Sequence, residues 1–456
     1  MLDLVIRNGL VVNAGGTQRA DIGVAGETIV QLGRDIAGAT REIDAAGLYV
    51  MPGGVDVHTH LDLDLPGFQT AEDFRSGTVA AACGGTTTIV DFCQQRHGQS
   101  LREALDIWQA KAAGKAVTDY GFHIVVTDMN ADVEKELAGL PAQGVTSFKL
   151  FMAYKDAQMV DDRTMLRTFD VARREGALVM VHAENGDAAD YLIEKAVAAG
   201  NLSTFNHALT RPPRVESEAT GRAIALAEMA GAPVYIVHLT CGDALDAVIA
   251  GRRRNVDVIA ETCTHYLFGT QDDLARPDFE GAKWVLTPPL RTRKDQELLW
   301  QSLGNGTLSV VSSDDASWPF EGQKRQADFT RIPNGAPGIE ERMIMTYQGV
   351  NRGHFNVNRF VEIVSTNPAC LFGLAPKKGA VAVGADADIV LWDPEAETVI
   401  TQSKLNHAVD FTLFEGQKVK GLPRCVVRRG EVIVENGRFC GATGGGRFIR
   451  RSRYRR

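Results

Sequence analysis

Gly54-Val-Asp-Val-His-Thr-His60 opens the central part of the chain, and its first four residues form a short apolar run of the kind that makes a buried strand. Seven runs of similar texture follow: Thr86-Thr-Thr-Ile-Val-Asp91, Phe122-His-Ile-Val-Val126, Ser147-Phe-Lys-Leu150, Ala177-Leu-Val-Met-Val181, Pro233-Val-Tyr-Ile-Val237, Val256-Asp-Val-Ile259 and Leu308-Ser-Val-Val311. Most are separated by segments with helical spacing, among them Ala71–Cys83, Leu101–Ala113, Arg163–Glu175, Ala188–Ala199 and Ser217–Met229. Alternation of strand and helix predicts a parallel sheet wrapped in helices, and eight strands over roughly 260 residues is the count and length of a (β/α)8 TIM barrel.

Outward from this centre the texture changes. Leu4-Val-Ile6, Leu10-Val-Val12 and Thr28-Ile-Val30 are short β-branched runs set apart by Asn8-Gly9, Ala14-Gly15-Gly16 and Ala25-Gly26. Asp388-Ile-Val-Leu-Trp392, Val426-Val-Arg-Arg-Gly430, Glu431-Val-Ile-Val434 and Asn436-Gly437 repeat the pattern near the other end. The expectation is an α/β chain in which both termini build one small β-sandwich domain, residues 1–50 plus 375–440. The barrel would occupy 51–374, and 441–456 would be a basic C-terminal tail.

The chain has 456 residues, 44% hydrophobic, 23% charged and 7% aromatic, which is ordinary for a globular enzyme and excludes collagen, wholesale disorder and a disulfide miniprotein. No stretch approaches the length of apolar sequence needed to span a bilayer, so no membrane partner is expected. A net charge of −8 gives no reason to expect nucleic acid. Arg447–Arg456, with six arginines after Gly444-Gly445-Gly446, reads as a solvated tail, with docking on an acidic neighbour as the alternative. Seven cysteines, odd in number and without a Cys-x-x-Cys pair, point to a reduced, cytoplasmic protein with packed thiols. Met1-Leu-Asp-Leu-Val-Ile-Arg7 reads as a strand and lacks the basic start and apolar core of a signal peptide.

The chemistry starts at Asp56-Val-His58-Thr-His60. Alternate residues of an extended segment point the same way, so His58 and His60 can reach one metal ion together. Strand four carries Lys149, strand five ends in His182, strand six in His238 and strand eight in Asp314. Each alone has an ordinary structural use, as a hydrogen-bonded core histidine or a buried ion pair. Together, at the carboxyl ends of separate strands, they mark the face where barrel enzymes place their active sites.

From Met51 onward the chain resembles the cyclic amidohydrolases of the dihydropyrimidinase/hydantoinase family. The resemblance rests on Met51-Pro-Gly-Gly-Val-Asp-Val-His-Thr-His60, Thr86-Thr-Thr-Ile-Val-Asp-Phe92, Ser147-Phe-Lys-Leu-Phe-Met-Ala-Tyr-Lys155, Val181-His-Ala-Glu-Asn185 and Val237-His-Leu239. It continues through Glu261-Thr-Cys-Thr-His-Tyr-Leu267, Pro288-Pro-Leu-Arg291, Ile332-Pro-Asn-Gly-Ala-Pro-Gly-Ile-Glu340, Asn367-Pro-Ala369 and Gly384-Ala-Asp-Ala-Asp-Ile-Val390. It implies two divalent metal ions, zinc in the usual case. His58, His60 and Asp314 would hold the first and His182 and His238 the second, bridged by a carbamate on Lys149 and by a hydroxide. The implied reaction opens a cyclic amide or ureide to an N-carbamoyl amino acid. Tyr154 would stabilise the oxyanion and Asp314 would shuttle the proton.

Thr287 and Asn334 match the positions that read the ring edge, and Leu63, Leu65, Phe151, Met152 and Met159 are the candidates for controlling the substituent. The resemblance further implies a homodimer or homotetramer, the tail often reaching a neighbour. Two departures stand out: Asp315 where the family commonly has His, and Thr287 where Ser is more usual. Asp315 could tune Asp314, accept a hydrogen bond from a metal-bound histidine, or face solvent, which is the default expectation. Allantoinase-type ureide hydrolysis is the near alternative, and a non-enzymatic scaffold is the alternative from another class.

Overall fold

The computed structural model describes residues 1–454. Eight strands, Gly54–Thr59, Thr86–Gln94, Asp119–Val125, Ser147–Phe151, Leu178–His182, Val234–Ile236, Val258–Cys263 and Val310–Ser312, pair in chain order and in parallel. A parallel bridge between Thr59 and Asp315 brings the last strand back to the first and closes the barrel. These are the eight runs expected from the sequence. Val90, Phe92, Val125, Met180, Tyr235, Ile259 and Val310 form one interior cluster, while their chain neighbours Ile89, Ile124, Val179, Val181, Ile236 and Val258 pack outward with the helices. Period-two burial on both faces is what a helix-wrapped parallel sheet requires.

The helices begin and end where local chemistry dictates. Ser100 and Glu103 form a reciprocal capping box on Leu101–Ala112, and Asp161 caps Asp162–Glu175, which stops at left-handed Gly176. The segment expected as a helix from Ala71 is helical only over Ser76–Cys83. The Asp73 carboxylate accepts the N–H groups of Arg75 and Ser76, both at 2.8 Å, and so holds the residues before the helix in a loop.

Both termini contribute to the second layer. One sheet contains four N-terminal strands. The other has seven, in which Tyr49–Pro52 and Leu10–Asn13 lie beside Ile389–Val399 and Lys418–Arg428. Leu4, Ile6, Ile22 and Val24 of the first sheet share a core with Val11, Val50, Ile389, Leu391 and Val427 of the second. The alternate residues Val12, Met51, Val390, Trp392 and Val426 turn to the barrel, so the inner strands of the seven-stranded sheet are buried on both sides. Lys378 fastens the layers: its buried ammonium meets Asp119 of the third barrel strand at 2.6 Å and Asp388 at 2.7 Å.

The expectation of a solvated tail is corrected by the structure. Residues 447–454 cross the amino-terminal end of the chain's own barrel. The Arg447 carbonyl accepts from the Tyr120 N–H, Ile449 N–H donates to Tyr120, Arg451 to Gly144, Ser452 to Gly373 and Tyr454 to Gly176. Ile449 and Tyr454 pack against the barrel interior. Arg451 is buried; its Nη2 donates to the Phe122 carbonyl and the Ser147 hydroxyl, while its Nε and Nη1 have no hydrogen-bond partner among the described residues. Arg455 and Arg456 lie outside the described residues. All seven cysteines are unpaired, and among the described residues no helix is long and apolar enough to cross a membrane.

Candidate active site

The carboxyl ends of the barrel strands converge on a cavity of about 370 Å³ lined by His58, His60, Lys149, His182, His238 and Asp314. All six residues that the sequence reading nominated for the metal centre therefore share one pocket. His58 Nε2 is 3.0 Å and His60 Nε2 3.4 Å from Asp314 Oδ1. Across the pocket His182 Nδ1 faces His238 Nε2 at 2.9 Å. Ligand atoms of His58, His238 and Asp314 lie within 4.8 Å of one another, close enough to surround an ion. His238 and Asp314 each lie two residues beyond the end of a strand, at φ 37° and 50°, and Tyr154 has φ 64°. Non-glycine residues in the left-handed region are uncommon and concentrate at functional sites.

Lys149 is the most telling member. It is fully buried, and its Nζ has neither hydrogen-bond acceptor nor ion-pair partner. The Phe92 and Phe151 rings lie 4.9 and 5.0 Å from it. Burial pulls its pKa down to about 8, with Asp314 and Glu261 opposing. An amine this easily neutralised, buried among imidazoles, suits conversion to an anionic ligand better than retention as an ammonium. The donor set fits a binuclear metal centre on this observation.

Two carboxylates that the sequence reading quoted within motifs but gave no role complete the arrangement. Glu261 Oε1 accepts from His58 Nδ1 at 2.5 Å, while Tyr235 and Ser312 donate their hydroxyls to Oε2 at 2.8 and 2.7 Å. Glu184 Oε2 stands 2.9 Å from His182 Nε2. Each fixes one ring nitrogen so that the other turns to the cavity. The signal for Glu261 was present: it sits two residues before Cys263 on strand seven, hence on the same inward face. Burial would lower the His58 pKa, but Asp314 and Glu261 raise it to about 9. Burial would raise that of Asp314, yet His58 and His60 hold it well below the usual carboxylate range.

Tyr154, Thr287 and Asn334 line the same cavity. Burial and the nearby Glu184 charge push the Tyr154 phenol up to about 12, so it stays a proton donor. The carbonyls flanking Thr287 are taken: His207 donates to Leu286 at 2.8 Å and Tyr266 to Pro288 at 2.8 Å. Among the described residues the Thr287 N–H and carbonyl have no protein partner.

The mouth is apolar. Leu63, Leu65 and Phe151 line it as expected, joined by Phe68, Trp318 and Ile332, which the sequence did not single out. Met152 and Met159 do not line it: Met152 is buried in the core, and the Met159 sulfur packs beside Gly186. Asp315 does not face solvent, contrary to the default expectation. It is buried, and its Oδ1 accepts from Gly338 N–H at 2.8 Å and Ile339 N–H at 3.2 Å, pinning the far end of the Asn334 loop. His265 is buried behind Asp314 and Cys263, and His123 is a core residue joined to Ser147 and the Val57 carbonyl.

Comparison with known proteins agrees with this geometry. Residues 49–433 match the model of the Amidohydrolase family. A D-hydantoinase from Rhizobium radiobacter is 56% identical over 456 residues, covering all of both chains. A solved D-hydantoinase structure superposes with a TM-score of 0.98 at 55% identity, again over the whole of both chains. The dihydropyrimidinase from Brevibacillus agri NCHU1002 gives 0.98 at 48% identity with full coverage of both. The chain thus belongs to the amidohydrolase family, among its hydantoinase members.

Proposed function

We propose that the protein hydrolyses the endocyclic amide bond of hydantoins and dihydropyrimidines, releasing N-carbamoyl amino acids. The observation that carries this reading is the partnerless, fully buried Lys149 at the centre of four histidines and one aspartate, under an apolar mouth. His58, His60 and Asp314 would hold one divalent ion and His182 and His238 a second, zinc being our assignment. The Lys149 amine, carbamylated by CO2, would offer one oxygen to each. When bound, such a pair of ions supplies an activated water-derived nucleophile and polarises the scissile carbonyl.

The chain's own groups do the rest. The Tyr154 hydroxyl donates to the developing oxyanion. Asp314, with its carboxylate kept ionised by His58 and His60, takes the nucleophile's proton and returns it to the departing ring nitrogen. The unengaged N–H and carbonyl of Thr287 and the unengaged N–H of Asn334 read the C=O and N–H edge of the ring, a neutral pattern better matched by fixed dipoles than by a charged clamp. Leu63, Leu65, Phe68 and Trp318 cover the exocyclic substituent. That wall disfavours the polar ureide side chain of allantoin. The names of the full-length relatives support selection of the D-enantiomer.

A panel of hydantoin, 5-phenylhydantoin, dihydrouracil and allantoin, with chiral product analysis and metal quantification, tests the proposal. We expect turnover of the first three, the D-product from 5-phenylhydantoin, and about two equivalents of metal that fall on replacing Lys149 with Ala. Purified protein with no metal and no turnover on any ring would sink it and favour a scaffold role.

A further inference from the structure

Lys324 belongs to none of the groups above, yet it joins the two segments assigned to reading the ring. It closes the short turn Phe320–Lys324, and its side chain is fully buried. Its ammonium donates to three main-chain carbonyls, Val285 at 2.9 Å, Pro333 at 3.0 Å and Gly335 at 2.7 Å. Three donors meet three acceptors, so the group is saturated without a carboxylate. Burying a cation in this way is costly, and desolvation alone pulls its pKa down to about 7.

The placement of those carbonyls gives the cost a purpose. Val285 lies two residues before Thr287, while Pro333 and Gly335 flank Asn334. Trp318 Nε1 donates to the Asn334 carbonyl at 2.8 Å, and the Gly335 N–H returns to Val285 at 3.2 Å. Gly335 has φ 134°, and a Cβ there would meet the Ala316 methyl at 2.6 Å and Trp318 Nε1 at 2.9 Å. The loop therefore has little room to settle elsewhere.

We propose that Lys324 is a positioning residue for substrate recognition, its ammonium fixing the separation between the Thr287 and Asn334 segments against which the ring edge docks. This rests on the reading of those two residues given under the proposed function. A residue that sets the geometry of ground-state binding, remote from the proton transfers, should act on KM more than on kcat.

The test uses Lys324→Met and Lys324→Gln in the full-length, metal-loaded protein, with steady-state kinetics on hydantoin and dihydrouracil and hydrogen exchange read by mass spectrometry. Should the Met variant fail to fold, the Gln variant keeps two N–H donors and carries the test. We expect KM to rise about tenfold with kcat held within about threefold. The amides of Asn334, Gly335, Ala336, Gly338 and Ile339 should exchange faster while the barrel strands keep their protection. Unchanged KM in a folded variant overturns the proposal. So does a fall in kcat alone accompanied by faster exchange throughout the barrel, the signature of a mere staple. If the wild-type protein opens no ring, the proposed function fails separately, and absence of local acceleration at 333–339 still refutes the clamp.

Discussion

Replacing Glu261 with Gln keeps the shape of the side chain and removes its charge, which isolates what the carboxylate does for His58. Glu261 accepts from His58 Nδ1, from the Tyr235 and Ser312 hydroxyls, and at 3.3 Å from the His238 N–H. An amide has two ways to sit there. With its oxygen toward His58 the tautomer is kept, but a charge-assisted bond becomes a neutral one. With its nitrogen toward His58 the imidazole proton is driven to Nε2, where the lone pair is needed for an ion. Losing one charge-assisted hydrogen bond costs about 1.5–3 kcal/mol, or roughly 10–100-fold in affinity, the range seen when the outer partner of a metal ligand is removed. The assay is a zinc titration of chelator-stripped protein against a chromophoric competitor, which resolves the two binding steps. We expect the step involving His58 to weaken by about that factor and the step at His182 and His238 by no more than a fewfold. Wild-type affinity at both steps in a folded Glu261→Gln variant would refute the orienting role. Equal weakening of both would move the effect from this bond to the barrel as a whole.

Tyr154→Phe should lower turnover by about 10²–10³ while metal content stays unchanged; near-normal kcat would remove Tyr154 from the chemistry. Arg451→Ala leaves the Phe122 carbonyl and Ser147 hydroxyl facing a buried gap, so it should cost about 2–4 kcal/mol in chemical denaturation, against almost nothing for an exposed tail. His207 offers a pH test. Burial and then the Arg211 charge lower its pKa from 6.5 to about 3, so the unfolded chain binds the extra proton between those values. Its contribution to stability is complete above pH 6.5 and is lost as pH falls toward 3, with a slope of up to about 1.4 kcal/mol per pH unit. Denaturation midpoints of His207→Gln should fall less steeply over that window than those of the wild type. Parallel curves would show that His207 does not carry the dependence.

The barrel was legible because its eight strands are buried on both faces and so read as apolar runs, and because metal-competent side chains stood at their ends. What stayed hidden depends on where distant main-chain groups arrive. Asp315 looked like a surface charge beside Asp314, since nothing local reveals that the Gly338 and Ile339 N–H groups converge on it. Arg451 looked solvated because arginine normally is, whereas its partners are a carbonyl and a hydroxyl more than three hundred residues away in sequence. Glu261 and Glu184 were visible as residues and silent as partners, because a carboxylate that orients a histidine needs no fixed spacing from it. Met152 and Met159 failed as pocket residues for a simpler reason: the loop after strand four folds back, turning Phe151 and Tyr154 to the cavity and the methionines away from it.

The seven-stranded sheet sets a constraint on how the protein is made. Tyr49–Pro52 finds its antiparallel neighbour in Ile389–Val399, which leaves the ribosome about 340 residues later. At ordinary elongation rates of about 5–20 residues per second, that strand waits roughly 20–70 s with one edge open and Val50 and Met51 uncovered. An exposed edge of this kind recruits other nascent chains. Yield in a host should thus depend on growth temperature and chaperone supply more than the compactness of the finished molecule suggests.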